Sequence, residues 1–255
     1  MIAKALPYFI ILHFMFTGCS SPNKTEREQP TVSHPDTSSG DMITQTRPEI
    51  LYGIDIYHEN GDVLEEIDPL TDSLKFVICK ATEGITYQDP KFEENWKLAH
   101  DKGFTVGAYH FFESDDASAK QVENYLTTVG TFGEHDLPPI VDFEGAGIHG
   151  GDDGAIADTL LKVLELIKNN TGRTPMVYCG VDHGNHYLNA PEFAQYPLWI
   201  CDYTTGDKPE MPGAWSGTKW WFWQKTDQYQ INSKNIDLDL FNGTKANLEE
   251  FIANH

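Results

Sequence analysis

Between residue 50 and about residue 170, short apolar runs alternate with amphipathic helical patterns; beyond that, the runs follow one another almost without helices. This alternation limits the fold more than any other feature. Strand–helix–strand order builds a parallel sheet with helices packed outside it. The strand-like runs cover 51–56, 75–81, 104–112, 139–144, 175–179, 198–203, 220–225 and 236–241. Asp89-Pro90 opens a helical pattern with Phe92, Trp96 and Ala99 on one face, closed by Gly103. Ser114-Asp115 can cap a second helix that runs to Val129 before Gly130. Residues 155–170 carry Leu160, Val163, Leu164 and Ile167 as one stripe before Gly172, and 245–253 form a last helix. The pattern predicts an α/β fold, a closed barrel of about eight strands whose helices are lost in the C-terminal third.

The barrel is expected to occupy residues 49–255, and the chain before it differs in kind. Residues 20–48 are rich in Ser, Thr, Pro, Asp and Glu, with almost no large apolar side chain. Such a segment cannot bury enough surface to order itself and reads as a flexible tether, spanning about 30 Å as a random coil. Residues 1–19 begin with one early cation, Lys4, and continue as an apolar stretch interrupted by Pro7 and His13. The stretch is short for a membrane span and ends in small residues, as a secretion signal does. Phe16-Thr17-Gly18-Cys19 resembles the lipobox of bacterial lipoproteins, with Phe16 where Leu is usual. The resemblance implies lipidation at Cys19 and an exported protein anchored to the membrane of the bacterial cell envelope.

Charge narrows the partners. With 18 Lys and Arg against 39 Asp and Glu, the formal net charge is −21. A nucleic-acid binder needs cations to displace phosphate counterions, so that class is excluded. An electrostatic grip on anionic lipid is excluded on the same ground, leaving the lipid anchor as the expected membrane contact. Past Cys19 the cysteines are Cys79, Cys179 and Cys201, each inside an apolar run, and an odd number reads as buried free thiols.

The chemistry concentrates in Pro139-Ile-Val-Asp142-Phe-Glu144-Gly145. In a strand, residues i and i+2 face the same way with Cα atoms about 6–7 Å apart. At the C-terminal end of a barrel strand, that face opens on the mouth. Two carboxylates so placed in a partly apolar setting cannot both ionise freely, and one keeps its proton toward neutral pH, as a general acid must. Asp55 stands at the end of the first run, and Asp237 and Asp239 repeat the i, i+2 spacing in the last. Acids on three strands at one barrel mouth are expensive unless functional. Around them lie Tyr109, His110, Tyr178, Trp199, Tyr203, Trp220, Trp221 and Trp223, whose faces suit the CH faces of sugar rings. Most of them, taken singly, are expected to be barrel filling.

Two other patterns compete. Gly145-Ala-Gly147-Ile-His-Gly150 matches a dinucleotide-binding fingerprint, yet Asp142, Glu144, Asp152 and Asp153 flank it and would repel a pyrophosphate. It reads instead as a Gly loop beside the cleft. His183-Gly-Asn-His186 has a loose metal-ligand spacing in a polar loop, and the Asp142, Glu144, Asp237 and Asp239 set could hold a hard cation. Neither is preferred: no metal and no cofactor are expected.

The ordered series of pieces resembles the family 25 glycoside hydrolases, the Chalaropsis-type lysozymes. The pieces are Tyr52-Gly-Ile-Asp55 with Asn60-Gly61; Phe76-Val-Ile-Cys-Lys80-Ala-Thr-Glu83-Gly84; Asp89-Pro90-Lys-Phe92; Gly107-Ala-Tyr109-His110-Phe111; Pro139-Ile-Val-Asp142-Phe-Glu144; Leu198-Trp199-Ile-Cys-Asp-Tyr203; Trp223-Gln224; and Ile236-Asp237-Leu-Asp239-Leu-Phe241-Asn242-Gly243. The resemblance spans about residues 50–245. It implies a modified, TIM-like barrel with fewer helices than a full one, and cleavage of the β-1,4 bond between N-acetylmuramic acid and N-acetylglucosamine in peptidoglycan glycan strands. It implies Glu144 as catalytic acid and Asp142 as its partner. Asp55, Asp237, Asp239, Tyr109, Tyr178, Trp199 and Gln224 are then expected to bind substrate or support the pair, in a monomer. Tyr57 stands where the family often has Ser, Glu59 where it has Gln or a small polar group, and the Trp usual near Val63 is missing. These departures bear on the subsites rather than on the chemistry. The Asp-x-Glu spacing leaves little room for a water between the two groups, so retention of configuration is expected. A hydrolase of another N-acetylhexosamine polymer such as chitin, a non-catalytic glycan-binding protein and a metal-dependent hydrolase are the alternatives.

Overall fold

The computed structural model describes residues 50–69 and 73–255. The signal segment, the tether and Cys19 lie outside the described residues. β1 (Ile50–Ile56) pairs in parallel with β2 (Leu74–Glu83), and the two-residue β3 (Tyr87–Gln88) folds back on the end of β2. Then α1 (Phe92–Asp101), β4 (Thr105–Phe111), α2 (Ser118–Val129), β5 (Ile140–Phe143), α3 (Asp153–Thr171), β6 (Met176–Gly180), α4 (Val181–Tyr187) and β7 (Leu198–Cys201) follow in turn. The chain ends in the long hairpin β8 (Phe222–Ile231) and β9 (Lys234–Asn242), then α5 (Lys245–Asn254).

From β1 through β2, β4, β5, β6 and β7 to β8 every neighbour is parallel. β9 runs antiparallel to both β8 and β1 and closes the ring. The expected α/β barrel, with its helices lost toward the end, is therefore the observed one, and each of the eight apolar runs supplies one of its strands.

Local chemistry sets the helix ends. The Asp152 side chain accepts the Ala155 N–H at the start of α3, and Gly172 ends it at φ 72, a left-handed conformation that glycine adopts without strain. Thr244 and Asn247 exchange hydrogen bonds as a capping box at the start of α5. Three local expectations need correction. α2 begins at Ser118, because Ser114 is used elsewhere: its N–H donates to Gly147 O (2.8 Å) and its Oγ accepts from His149 N–H (2.9 Å). Residues 181–187 form α4 rather than a polar loop; so short a helix with few apolar residues shows no periodicity. β8 and β9 extend past their apolar runs as a polar hairpin, turned through Asn232 and Ser233 at φ 46 and 72.

Strand alternation divides the core in two. Outward residues such as Val77, Val106, Val141, Val177 and Ile200 pack under Leu160, Val163, Leu164 and Ile167 of α3 and its neighbours. Each fully buried side chain of this size stabilises by about 1.5–3 kcal/mol. Inward residues Phe76, Ile140, Met176, Trp199, Phe222 and Phe241 fill the lumen, and Leu248, Phe251 and Ile252 of α5 join them. Cys79, Cys179 and Cys201 are buried and outside any disulfide, as expected.

Gly53 shows how tightly the lumen is filled. A Cβ there would lie 2.3 Å from the ring of Phe76, its register partner on β2. Gly53→Ala should therefore destabilise the chain by about 1–3 kcal/mol in urea unfolding, and adding Phe76→Leu should recover part of that loss. An unchanged midpoint for the single variant would show that the ring moves aside freely.

Candidate active site

The C-terminal ends of the parallel strands deliver the expected acids to one cleft. Its lining includes Asp55 from β1, Asp142 and Glu144 from β5 and its end, Tyr178 from β6, Trp199 from β7, Gln224 from β8 and Asp237 from β9, with Tyr109 from β4. The inward parity of β5 that puts Ile140 in the lumen also puts Asp142 there, two residues nearer the mouth. Asp55 and Asp237 are register partners across the β1–β9 pair.

Gln224 ties these elements together. Its Nε2 donates to Asp55 Oδ2 (2.8 Å), and its Oε1 accepts from the hydroxyls of Tyr178 (2.8 Å) and Tyr203 (2.9 Å). The Trp199 ring packs on Tyr178 with centroids 4.5 Å apart, and its Nε1 donates to Asp239 Oδ1 (2.8 Å). Asp239 is 0% exposed and is not part of the cleft lining. It holds Trp199 and stands behind Asp55 rather than offering a surface to substrate.

The electrostatics favour protonated carboxyls. Burial, then the neighbouring Glu144, raises Asp142 well above the usual carboxylate range, and burial raises Glu144 too. Burial and the charge of Asp239 raise Asp55; burial and the charge of Asp237 raise Asp239. Asp237 is pushed up to about 9 by burial and then by Asp55 and Asp227. Lys80 opposes the trend. This buried cation on β2 meets Glu83 at 2.7 Å and draws Asp142 and Glu144 down. Asp142 Oδ1 and Asp239 Oδ2 are buried without a hydrogen-bond partner, an arrangement more tolerable for a protonated or transiently paired group than for a fixed anion.

Several aromatic and histidine side chains noted in the sequence lie away from the cleft, as barrel filling or on the outer layer. His110 faces outward, bonded to Thr82 Oγ1 (2.8 Å) and Gln121 Oε1 (3.1 Å), with burial pushing it down to about 4. Trp223 packs in the outer layer, and Trp221 lies against Phe241 and Phe251 beside α5. His183 packs against Gly145 and stacks on Tyr187, while His186 meets Asp153 at 3.0 Å. Among the described residues, the carboxylate and imidazole trio whose ligand atoms lie within 4.8 Å is Glu113, Asp115 and His149, apart from both sets considered from sequence. The Gly145–Gly147 turn has a packing role, since a Cβ on Gly147 would lie 2.0 Å from Phe112 O. Sequence reasoning gave no individual role to Lys80, nor to Asn60, Asp227 and Asn235, which complete the cleft wall together with Tyr57, a position it tied to the subsites. The signal for Lys80 was available: a charge interrupts an apolar run at inward parity. The signal for the hairpin residues was not, because polar strand ends look like loop.

The Asp237 shift makes stability depend on pH with a definite sign. Its folded-state pKa lies above the unfolded value, so the folded chain binds the extra proton; that contribution is full below about pH 4 and lost as pH rises toward 9. Asp237→Asn should raise the melting temperature at pH 8 by about 2–4 °C and flatten its decline between pH 5 and 9. Equal pH slopes for variant and wild type would show that Asp237 ionises normally.

Comparison with known proteins places this geometry. Residues 54–234 match the family described as Glycosyl hydrolases family 25. The chain is 31% identical over 209 residues to Uncharacterized protein YegX of Escherichia coli K12, covering 79% of this chain and 73% of that protein. It is 27% identical over 216 residues to the N,O-diacetylmuramidase of Arthroderma benhamiae, covering 81% and 88%. Among solved structures, the family 25 lysozyme from Aspergillus fumigatus superposes with a TM-score of 0.72 at 27% identity, covering 80% of this chain and all (100%) of that one. A family 25 glycosyl hydrolase from Bacillus anthracis gives 0.70 at 27% identity, covering 85% and 99%. With the family match running from the end of β1 through β8 and taking in Asp55, Asp142 and Glu144, the chain belongs to glycosyl hydrolase family 25.

Proposed function

We propose that this chain is a peptidoglycan muramidase that hydrolyses the β-1,4 bond between N-acetylmuramic acid and N-acetylglucosamine. The observation that carries the reading is the Asp142–Glu144 pair, on one strand end, facing a cleft lined by aromatic rings and further carboxyls. Glu144, whose hold on its proton burial strengthens, donates that proton to the leaving glycosidic oxygen. Positive charge then develops at the anomeric carbon. Asp142 meets it as nucleophile, as electrostatic partner, or by orienting the substrate's own N-acetyl group, and water completes the hydrolysis with retention. Asp55, Asp237 and Gln224 hold the pair's surroundings and tune its protonation, while Tyr109, Tyr178 and Trp199 present ring surface and hydroxyls to the sugars.

Glu144→Gln keeps shape and hydrogen bonding but has no proton to deliver. Turnover of purified peptidoglycan, followed by released reducing sugar, should fall by about 10²–10⁴-fold or more. Chitin serves as the control polymer and should be the poorer substrate. The wild-type pH–rate profile should be bell-shaped, with its basic limb absent from residual Glu144→Gln activity. Near-wild-type turnover by the folded variant would overturn the assignment.

Residues 49–255 act as the catalytic domain in this reading, and residues 20–48 tether it to a lipid on Cys19 in the cell envelope. Two signals, a lipidated cysteine and an export segment, are what such placement needs. Cys19→Ala should move the protein from the membrane pellet to the soluble fraction of fractionated cells, and unchanged partitioning would refute the anchor.

A further inference from the structure

Among the described residues the large hydrophobic side chains left exposed are Tyr52, Ile85 and Tyr87, at 41%, 42% and 37%. Ile85 stands in the short turn that joins β2 to β3, and Tyr87 opens β3 directly after it. β2 runs parallel to β1, so that turn stands at the same barrel end as Tyr57, the residue after β1 that lines the cleft.

The space between is aromatic. The Tyr57 and His58 rings meet edge to face with centroids 5.3 Å apart, and His58 and Tyr87 follow at 6.4 Å. The rings are held rather than merely exposed. The carboxylate of Asp89, itself buried, takes the His58 backbone N–H at 3.1 Å and its Nδ1 at 2.8 Å. The Tyr87 hydroxyl reaches the same Nδ1 at 3.2 Å, and the Tyr57 hydroxyl donates to Glu59 at 2.8 Å. The Tyr87 ring also lies 5.5 Å from the ammonium of Lys80, the cation that acts on Asp142 and Glu144. The strip thus meets the cleft wall at Tyr57, and its far end lies against Lys80, whose charge acts on Asp142 and Glu144. Rings that reach solvent and are linked by hydrogen bonds, with His58 anchored on the buried Asp89 carboxylate, are pre-organised for a ligand with an apolar face and a polar edge.

We propose that Tyr57, His58, Tyr87 and Ile85 form an additional glycan subsite, a ledge on which a further N-acetylhexosamine ring of the same strand stacks beyond the cleft. The occupant follows from continuity: a strand bound at Asp142 and Glu144 has to leave the cleft over its rim, and this rim offers ring faces. The ledge rests on the muramidase reading and extends it, making the protein an enzyme that prefers long strands.

The test compares a long uncross-linked peptidoglycan glycan with a short oligosaccharide of the same repeat. In Tyr87→Ala, the ratio of kcat/KM on the long glycan to that on the short one should fall about three- to tenfold, through KM on the long substrate. Tyr87→Phe keeps the ring and should preserve the ratio. Ile85→Ser, on the exposed turn, should lower it without a change in melting temperature, so a folding defect at Tyr87 would not decide the question. Ratios equal to wild type in both Tyr87→Ala and Ile85→Ser would overturn the ledge. Wild-type hydrolysis of the short substrate reports separately on the function. Should it fail, calorimetric titration of the long glycan into Glu144→Gln, with and without Tyr87→Ala, still reads the ledge: an affinity loss supports it, and equal affinities overturn it.

Discussion

The structure depends on a constraint of closure. In a ring of eight strands every second residue must enter a lumen just wide enough for side chains to fill, and none can be displaced into solvent. The chain answers with Phe76, Phe222 and Phe241 in the lumen and α5 packed against them, leaving room only where Gly53 withdraws its side chain before Phe76. Because that part of the lumen is solid, the mouth is where polar groups can stand inside the barrel. Asp142 and Gln224 occupy the same inward rows as Ile140 and Phe222 and are polar only because they come two residues later.

Closure also explains the hydrogen-bond network. Gln224 reaches Asp55, Tyr178 and Tyr203 because β8 stands near the other strands across a narrow ring, and its amide supplies both a donor and an acceptor there. A carboxylate at that position would add another negative charge beside Asp55; an apolar residue would leave two tyrosine hydroxyls without their acceptor. The side-chain type at 224 is therefore set by its neighbours. The antiparallel β9 contributes in a different way. Joined to β8 by a two-residue turn, it raises Asn235 and Asp237 into the cleft wall beside Asp227 of β8 and leans on the β1 side, where Lys234 Nζ donates to Asn60 O at 3.2 Å. The helices missing from the last third are thus replaced by a wall.

Most of this was legible from sequence for a physical reason. The strands are buried on both faces, so they read as apolar runs, and an acid breaking such a run at the strand end stands out. Asp55, Asp142, Glu144 and Asp237 were found in that way, and all line the cleft. What sequence could not show was the division of labour. Asp239 shares its spacing with Asp237 but lies two residues deeper along β9, beneath the cleft, where it binds Trp199 instead of facing solvent. His110 ends a barrel strand as a site residue would, yet strand parity turns it outward to Thr82 and Gln121. Parity is fixed by the register of the closed ring, and a run of seven apolar or aromatic residues does not announce which face is inner. The hairpin tip and α4 were missed because their polar sequences carry no periodicity.

The same crowding that makes the cleft chemically useful also works against the fold. Asp55, Asp142, Asp237 and Asp239 each raise or are raised by a neighbouring acid, so ionising any one of them makes the next harder to ionise. In the proposed reaction Glu144 is the acid whose proton is transferred, and the free energy that favours its protonated form is a penalty the folded state bears when the cluster ionises. Lys80 limits that penalty from the β2 side without removing it, since a cation strong enough to neutralise the cluster would also strip the acid of its proton. The stability that offsets the cluster has to come from elsewhere, from the filled lumen below and the α3 layer outside. Stability and acidity are therefore coupled through one set of side chains: a substitution that relaxes the cluster strengthens the barrel while weakening the acid.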